Sequence, residues 1–351
     1  MAYRFKLDES FSKGFHRIGL EQLDRAMAQL RRAATGAGVH ETRKSIKRLR
    51  ALLRLVRPGL DSEAFERFNL ALRDAGRVLS AARDNDVLIK TMALIGADTP
   101  AARPALRRLV KNVSAKASVA GPQQNVAKHA ATMLADVRKD WSDLQLTPDS
   151  FAVLAEGLER GVQKLAESHQ AVQPDARPQD GDEDYHDLRK AVQRHWRQMR
   201  LIEAGWPEYF SARWAEAKSI SELLGSAQDL GLLLTHLAEH GRPLLKPSQV
   251  AQLDRIVRER RDNLRDAARS RCARLVAEGA KAQARRAALF WSTAIALRRA
   301  ASTSSDNKAR AAEPPAVRQA AERAVRPARK SSSKPKTAAK RKASRNPTRK
   351  R

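Results

Sequence analysis

Between His40 and Arg57 the sequence places basic side chains at spacings that bring them to one face of a helix. Glu41 is the only acid among them. Like charges three or four residues apart on a helix repel each other by roughly a few tenths of a kcal/mol per pair. Guanidinium and ammonium groups bind phosphate oxygens well. The pattern therefore predicts an anion-binding face, formed by His40, Arg43, Lys44, Lys47, Arg50, Arg54 and Arg57.

The opposite face of this predicted helix is apolar, as expected of a helix that packs on a core. It carries Val39, Ile46, Leu49, Leu53 and Val56. A second segment repeats the arrangement, with basic residues His186, Arg189, Lys190, Arg194, Arg197 and Arg200 and an apolar stripe of Leu188, Val192 and Met199. We hypothesise that the two basic helices line one groove, which would hold a linear chain of phosphates.

Two further basic stripes leave their role open. One comprises Arg103, Arg107, Arg108 and Lys111, and the other comprises Arg258, Arg261, Arg265 and Arg269. Acids such as Glu259, Asp262 and Asp266 lie close to the second stripe. Each stripe is equally typical of an extension of the anion-binding surface and of an ordinary solvated face.

No residue cluster indicates catalysis, so we expect a binding protein, not an enzyme, and no cofactor. Asp84, Asp86 and Asp229 are more simply explained as helix caps or partners of neighbouring arginines than as acid/base groups. His236 and His240 have the i, i+4 spacing of a metal pair, but no third ligand or zinc signature accompanies them. We therefore expect no metal site.

The elements that position these residues are predicted to be helices throughout. Aromatic residues make up only 5% of the 351 residues, and good helix formers dominate. No window alternates with the period of two that strands require. From about Phe11 to Ala300 the sequence reads as amphipathic helices, with breaks predicted at Pro58-Gly59, Asp98-Thr99-Pro100, Gly121-Pro122, Thr147-Pro148, Arg242-Pro243 and Lys246-Pro247.

The helical region contains an internal duplication. The segment from His40 to Arg48 matches that from His186 to Arg194 at an offset of 146, and Leu79–Leu88 matches Leu224–Leu233 at 145. We predict a first helical repeat over 1–172, a polar linker over 173–183 and a second repeat over 184–301.

Beyond residue 301 the composition changes to Ser, Pro, Ala, Lys and Arg. Residues 302–351 hold 7 Lys and 9 Arg against 3 acids, which gives +13 of the total +29. So little apolar surface predicts a disordered tail. The remaining +16 lies in the helical region, so both parts favour polyanionic partners: nucleic acid, an anionic membrane or another phosphate polymer.

The single cysteine, Cys272, indicates a reducing compartment, and its simplest interpretation is a small apolar filler. No stretch approaches the roughly 20 apolar residues of a membrane span, and Met1 to Ser10 lacks the apolar centre of a signal peptide. We therefore expect a cytoplasmic protein.

The two histidine-led basic segments, together with Arg83-Asp84-Asn85-Asp86-Val87 and Gln228-Asp229, resemble the CHAD domain, the conserved histidine α-helical domain. The opening from Tyr3 to Ser10 resembles the start of stand-alone members, and the resemblance covers roughly residues 1–300. It implies two four-helix bundles related by a pseudo-twofold axis, binding of inorganic polyphosphate in a basic groove, and association with polyphosphate granules.

The resemblance assigns polyphosphate binding to matching residues in both repeats. The second repeat departs from the family pattern at Gln193, at His195-Trp196 and at Gln228, so its wall of the groove is expected to be the weaker one. No Glu-x-Glu-x-Lys signature of a triphosphate-tunnel domain is present. The predicted site is His40, Arg43, Lys44, Lys47, Arg48, Arg50, Arg54, His186, Arg189, Lys190, Arg194 and Arg197.

Sequence-independent DNA binding, mainly through the basic tail, is the alternative that the composition leaves open. Polyphosphate has no bases and needs no stacking aromatics, which agrees with the low aromatic content. The two activities are compatible, since a tail on DNA would link a polyphosphate granule to the nucleoid.

Overall fold

The computed structural model describes residues 3–32, 36–79, 84–119, 123–175 and 181–312. The chain divides into two compact units, Met1–Leu297 and Arg298–Arg351. Every regular element among the described residues is helical, which confirms the all-α class. The helices are α1 Phe11–Arg32, α2 Gly36–Val56, α3 Ser62–Val78, α4 Asp84–Asp98, α5 Arg103–Val119, α6 Gln123–Asp140, α7 Phe151–Ala171, α8 Gly181–Leu201, α9 Pro207–Leu244, α10 Pro247–Val276 and α11 Ala280–Ala312.

Short 3₁₀ turns and prolines separate several helices where the sequence indicates breaks. Turns occupy Arg57–Gly59 and Pro100–Ala102, and Pro247 is the first residue of α10. The predicted break at Arg242-Pro243 is wrong: α9 continues to Leu244 with Pro243 inside its last turn. A proline removes the hydrogen bond of its missing N–H, and its ring clashes with the carbonyl four residues earlier. Helix α9 ends one residue after Pro243. Gly121-Pro122 lies outside the described residues.

The buried apolar side chains form three clusters. The largest joins α1, α2, α3, α6 and α7 around residues such as Phe15, Leu52 and Trp141. A second joins α4 and α5 to the later part of α9 and to α10. The third lies between α7, α8, the early part of α9 and α10. The predicted stripes behave as expected, since Val39, Ile46, Leu49, Leu53 and Val56 of α2 and Leu188, Val192 and Met199 of α8 are all buried.

Helix α7 lies against both basic helices and sets their separation. A Cβ atom on Gly157 would lie 1.8 Å from the carbonyl oxygen of Leu55 in α2, and one on Gly161 would lie 2.5 Å from the amide oxygen of Gln198 in α8. Only glycine permits approach this close. Because α2 also packs directly on α8, the three helices hold the two basic faces next to each other.

The internal duplication stays a prediction. Shifted by the offset of 146, α3 falls inside α9, which is one continuous helix of 38 residues. The predicted linker over 173–183 overlaps the start of α8 at Gly181. The predicted tail begins within α11, and residues 313–351 lie outside the described part of the chain.

Candidate functional site

The basic faces of α2 and α8 line two adjoining clefts. The wide cleft, of about 560 Å³, lies between α2, α8 and the early part of α9. The narrow cleft, of about 210 Å³, lies between α2 and α8. Lys47, Gln193 and Arg197 line both clefts and join them. Together the clefts are lined by twelve Lys and Arg residues but by three carboxylates, those of Glu41, Glu222 and Asp229.

Eleven of the twelve predicted site residues line these clefts. The wide cleft holds His40, Arg43, Lys44, Lys47, Arg48, Arg189 and Arg197, and the narrow cleft adds Arg50, Arg54, Lys190 and Arg194. Arg57, at the end of the basic run, does not line either cleft and pairs with Glu66 at 3.6 Å.

His186 lies elsewhere. It lines a separate cleft of about 380 Å³ between α8, α9 and α10, beside Asp182, Tyr185 and Arg265. Burial, and then the charge of Lys190, lower the pKa of His186 below its usual value. Both histidines lie about one turn inside their helices, since α2 begins at Gly36 and α8 at Gly181.

Three arginines meet in the narrow cleft, and none of the described residues that line it is acidic. Burial, and then the neighbouring cations, lower the pKa of Arg50 to about 10. Burial, and then the charge of Arg194, lower the pKa of Arg54 to about 10. Burial, and then the charge of Arg50, lower the pKa of Arg194. Among the described residues no carboxylate lies within 4 Å of these three side chains. All three remain charged at neutral pH, so the narrow cleft concentrates positive charge.

The centre of the two clefts is occupied by Arg197, whose exposure is only 6%. Its Nη1 donates a hydrogen bond of 2.6 Å to the carbonyl oxygen of Gln193, while Nε has no partner among the described residues. Burial, the largest cause, lowers the pKa of Arg197 to about 10. A buried guanidinium that lacks a carboxylate is costly, and an anion in the cleft would offset that cost.

Neutral groups hold other arginines of the wide cleft. Arg48 donates to the side-chain oxygen of Gln22 at 3.3 Å, and Arg43 donates to the carbonyl oxygen of Leu79 at 3.2 Å. Such partners fix the direction of a guanidinium without neutralising it. Arg48, which has no carboxylate within 4 Å among the described residues, therefore keeps its full charge for a ligand.

The lysines at the cleft edges are paired with acids. Lys44 pairs with Glu41 at 2.7 Å, and Lys190 pairs with Asp187 at 2.8 Å. These are exposed pairs within one helix, and such pairs contribute little stability. A polyanion can therefore replace the carboxylates at small cost.

The comparisons with known proteins agree with this architecture. The model of the CHAD domain matches residues 17–238. The chain belongs to the CHAD domain family. Two solved structures are similar: PptA from Streptomyces chartreusis, with 15% identity and a TM-score of 0.51 over 77% of this chain and all of that one, and the CHAD domain from the plant Ricinus communis, with 18% identity and a TM-score of 0.47 over 78% and 94%. No curated protein matches significantly.

Four cationic or aromatic residues that line the clefts of this CHAD domain were not among the predicted site residues. Arg200 continues the basic face of α8 and was recognisable from its spacing after Arg197. Trp196 follows His195 at the point where the sequence departs from the family pattern. Trp214 and Lys218 come from α9. The periodicity of α2 and α8 carries no information about α9, so those two residues required the structure.

The two lesser stripes differ from each other. The α10 stripe is neutralised by acids, because Arg258 pairs with Asp254 at 2.6 Å and Arg269 pairs with Asp266 at 2.9 Å. Arg261 and Arg265 both contact Asp182. On α5, Arg107, Arg108 and Lys111 are exposed, and no ion pair involves them within the described ranges. Neither stripe lines the two basic clefts.

The remaining histidines of the sequence analysis, His236 and His240, stack with ring centroids 4.7 Å apart. A search of the described residues finds no group of three His, Cys, Asp or Glu side chains that would hold a metal ion. Over the same ranges, no helix has the length and apolar character needed to cross a membrane.

Proposed function

We propose that this CHAD domain binds inorganic polyphosphate in the two joined basic clefts and does not act as an enzyme. The observation that carries the proposal is the group of arginines that are half-buried or buried and have no carboxylate within 4 Å among the described residues. This group comprises Arg48, Arg50, Arg54, Arg194, Arg197 and Arg200. Charges placed this way destabilise the empty protein, and a bound polyanion reverses the effect.

The shape of the site supports a thin, flexible polyanion. The narrow cleft holds about 210 Å³ and continues into the wide cleft past Lys47 and Arg197. A chain of phosphates can follow this path, and each contact releases counterions as for single-stranded nucleic acids.

Location follows from the ligand. We propose that the protein is cytoplasmic and is recruited to polyphosphate granules by its clefts. The basic residues of 302–351 favour a second polyanion, and DNA binding there would bring granules close to the nucleoid. Membership of the family and the resemblance described above support the granule assignment.

The test is a competition titration with the full chain at about 150 mM salt. Labelled long-chain polyphosphate is bound first, and duplex DNA at equal phosphate concentration competes. A parallel variant carries Arg43→Ala, Lys47→Ala, Arg50→Ala and Arg54→Ala. We expect DNA to displace little polyphosphate and the quadruple variant to lose binding. Equal competition by DNA, or unchanged binding by the variant, would favour nucleic-acid binding through the tail.

A further inference from the structure

We propose that Trp196 and Trp214 are positioning residues of the polyphosphate site, each holding one arginine over its ring. This inference rests on the proposed function. Both tryptophans line the wide cleft, although a phosphate polymer has no bases to stack on them. Their partners Arg197 and Arg200 line the same cleft and lie about one turn apart on α8. The rings therefore act on the protein's own guanidinium groups.

The first pair is Trp196 and Arg197. The guanidinium carbon of Arg197 lies 4.1 Å from the centroid of the Trp196 ring. On another side, Nη1 of Arg197 is fixed by the carbonyl oxygen of Gln193 at 2.6 Å. With a ring on one face and a carbonyl at one edge, the group keeps a single orientation, while its Nε still has no partner among the described residues.

The second pair is Trp214 and Arg200, in which the indole of Trp214 is itself held by a hydrogen bond. The guanidinium carbon of Arg200 lies 5.1 Å from the centroid of the Trp214 ring. Nε1 of Trp214 donates a hydrogen bond of 3.0 Å to Glu203, which also pairs with Arg4 at 3.7 Å. The indole is therefore anchored by its polar edge, and its face is left for Arg200.

The physical consequence is a gain in affinity without a gain in charge. An arginine side chain is flexible, and fixing it when the ligand binds costs conformational entropy. A guanidinium already held on an indole face presents its planar fork to phosphate oxygens at less cost.

This mechanism predicts different salt dependences for the two kinds of residue. Removal of a charge that contacts phosphate lowers the slope of log K against log salt by about 0.7 per contact on a single-stranded polyanion. Removal of a ring that only orients the arginine leaves the charge, and therefore the slope, in place. The affinity should instead fall by the same factor at every salt concentration.

The experiment measures the affinity of the full chain for labelled long-chain inorganic polyphosphate across a series of salt concentrations. The variants are Trp196→Leu and Trp214→Leu, each with its Phe counterpart, beside Arg197→Ala and Arg200→Ala. We expect each Leu variant to bind about three- to thirty-fold more weakly with an unchanged slope. The Phe variants should recover much of the loss, whereas the Ala variants should lower the slope.

Trp206→Leu is the matched control, because Trp206 is 46% exposed and packs on Tyr209 and Phe290, away from both clefts. It should bind like the parent. The inference is overturned if the Leu variants of Trp196 and Trp214 bind like the parent, or if they lower the slope as the Ala variants do. If a Leu variant does not fold, its Phe counterpart is used instead. A decrease in the salt slope of that Phe variant would also overturn the inference. A parent chain that does not bind polyphosphate would overturn the proposed function itself.

Discussion

Two basic stretches of this chain look alike in sequence and differ in the folded protein. Helix α10 carries an arginine every three or four residues from Arg258 to Arg269, and its acids lie within reach of them. The arginines of α2 and α8 face each other across a narrow cleft without carboxylates within 4 Å among the described residues. A run of cations is therefore a weak indicator of an anion site. Cations gathered from two helices, partly buried and without acids, are a strong one.

The largest expected effect tests this comparison directly. Two triple variants remove the same charge: Arg50→Ala, Arg54→Ala and Arg194→Ala in the narrow cleft, and Arg258→Ala, Arg261→Ala and Arg269→Ala on α10. We expect the cleft variant to bind polyphosphate more weakly by at least about 100-fold, since hydrogen bonds to charged groups contribute about 1.5–3 kcal/mol each. The α10 variant should lose less than about three-fold.

The measurement is the dissociation constant of the full chain for labelled polyphosphate at a single salt concentration, with circular dichroism to verify folding. The two variants have equal net charge, so long-range attraction is the same in both. Equal losses in the two variants would mean that net charge alone governs binding. In that case the clefts would have no special role.

A second effect lies on the buried side of α8, behind the cleft wall. His195 is fully buried, and neither ring nitrogen has a hydrogen-bond partner among the described residues. Burial, and then the charges of Arg213 and Arg194, lower its pKa to about 3. The folded protein therefore keeps His195 neutral, whereas the unfolded chain binds a proton below about pH 6.5. Keeping His195 neutral therefore costs no stability above pH 6.5, but the free energy of unfolding decreases as the pH falls from 6.5 toward 3.

From pH 7 to pH 5 the titration of His195 should lower the free energy of unfolding by about 2 kcal/mol. His195→Leu removes the titrating group. Between pH 7 and pH 5 the free energy of unfolding of this variant should therefore fall by about 2 kcal/mol less than that of the parent. Urea unfolding of parent and variant at the two pH values measures the difference. The α10 triple variant, which leaves His195 in place, should keep the parental pH dependence. Parallel curves for parent and His195→Leu would show that His195 does not titrate in this way.

Much of the site was predictable from sequence because helical periodicity reports which side chains share a face. The basic and apolar faces of α2 and α8 follow from spacing alone, and eleven of twelve candidate residues line the clefts. His186 was the exception. Its position in the predicted repeat matches that of His40, but His186, one turn into α8, lines the cleft beside α9 and α10. A repeat predicts equivalent positions in a helix, while neighbouring helices decide which cleft a side chain enters.

What the sequence did not predict depends on contacts between distant segments. Trp214 and Lys218 reach the wide cleft from α9, and no local pattern connects α9 with α2. The neutralisation of α10 has the same origin, because Asp182 lies on α8, far along the chain from Arg261 and Arg265. The continuity of α9 through Pro243 was also missed, because a proline in a helical pattern ordinarily indicates a break.

The smallest expected effect concerns the stability of the empty protein and should have opposite signs in the two regions. Arg194→Met keeps an unbranched apolar stem but removes a charge that faces Arg50. Without its desolvation and repulsion, the free energy of unfolding should rise by about 1 kcal/mol. Asp182→Asn leaves Arg261 and Arg265 without their shared acid. Because Asp182 is 68% exposed, water screens the loss, and stability should fall by only about 0.5 kcal/mol.

Urea unfolding in a buffer free of phosphate measures both changes, and a repeat with excess polyphosphate separates their causes. Ligand stabilises a protein according to its affinity for the folded state, so polyphosphate should raise the parent and Asp182→Asn alike. Polyphosphate should raise the free energy of unfolding of Arg194→Met by less. The higher stability of this variant relative to the parent should therefore decrease or reverse. If Arg194→Met destabilises the empty protein, the narrow cleft is not held at a cost to stability, and the contrast with α10 loses its energetic basis.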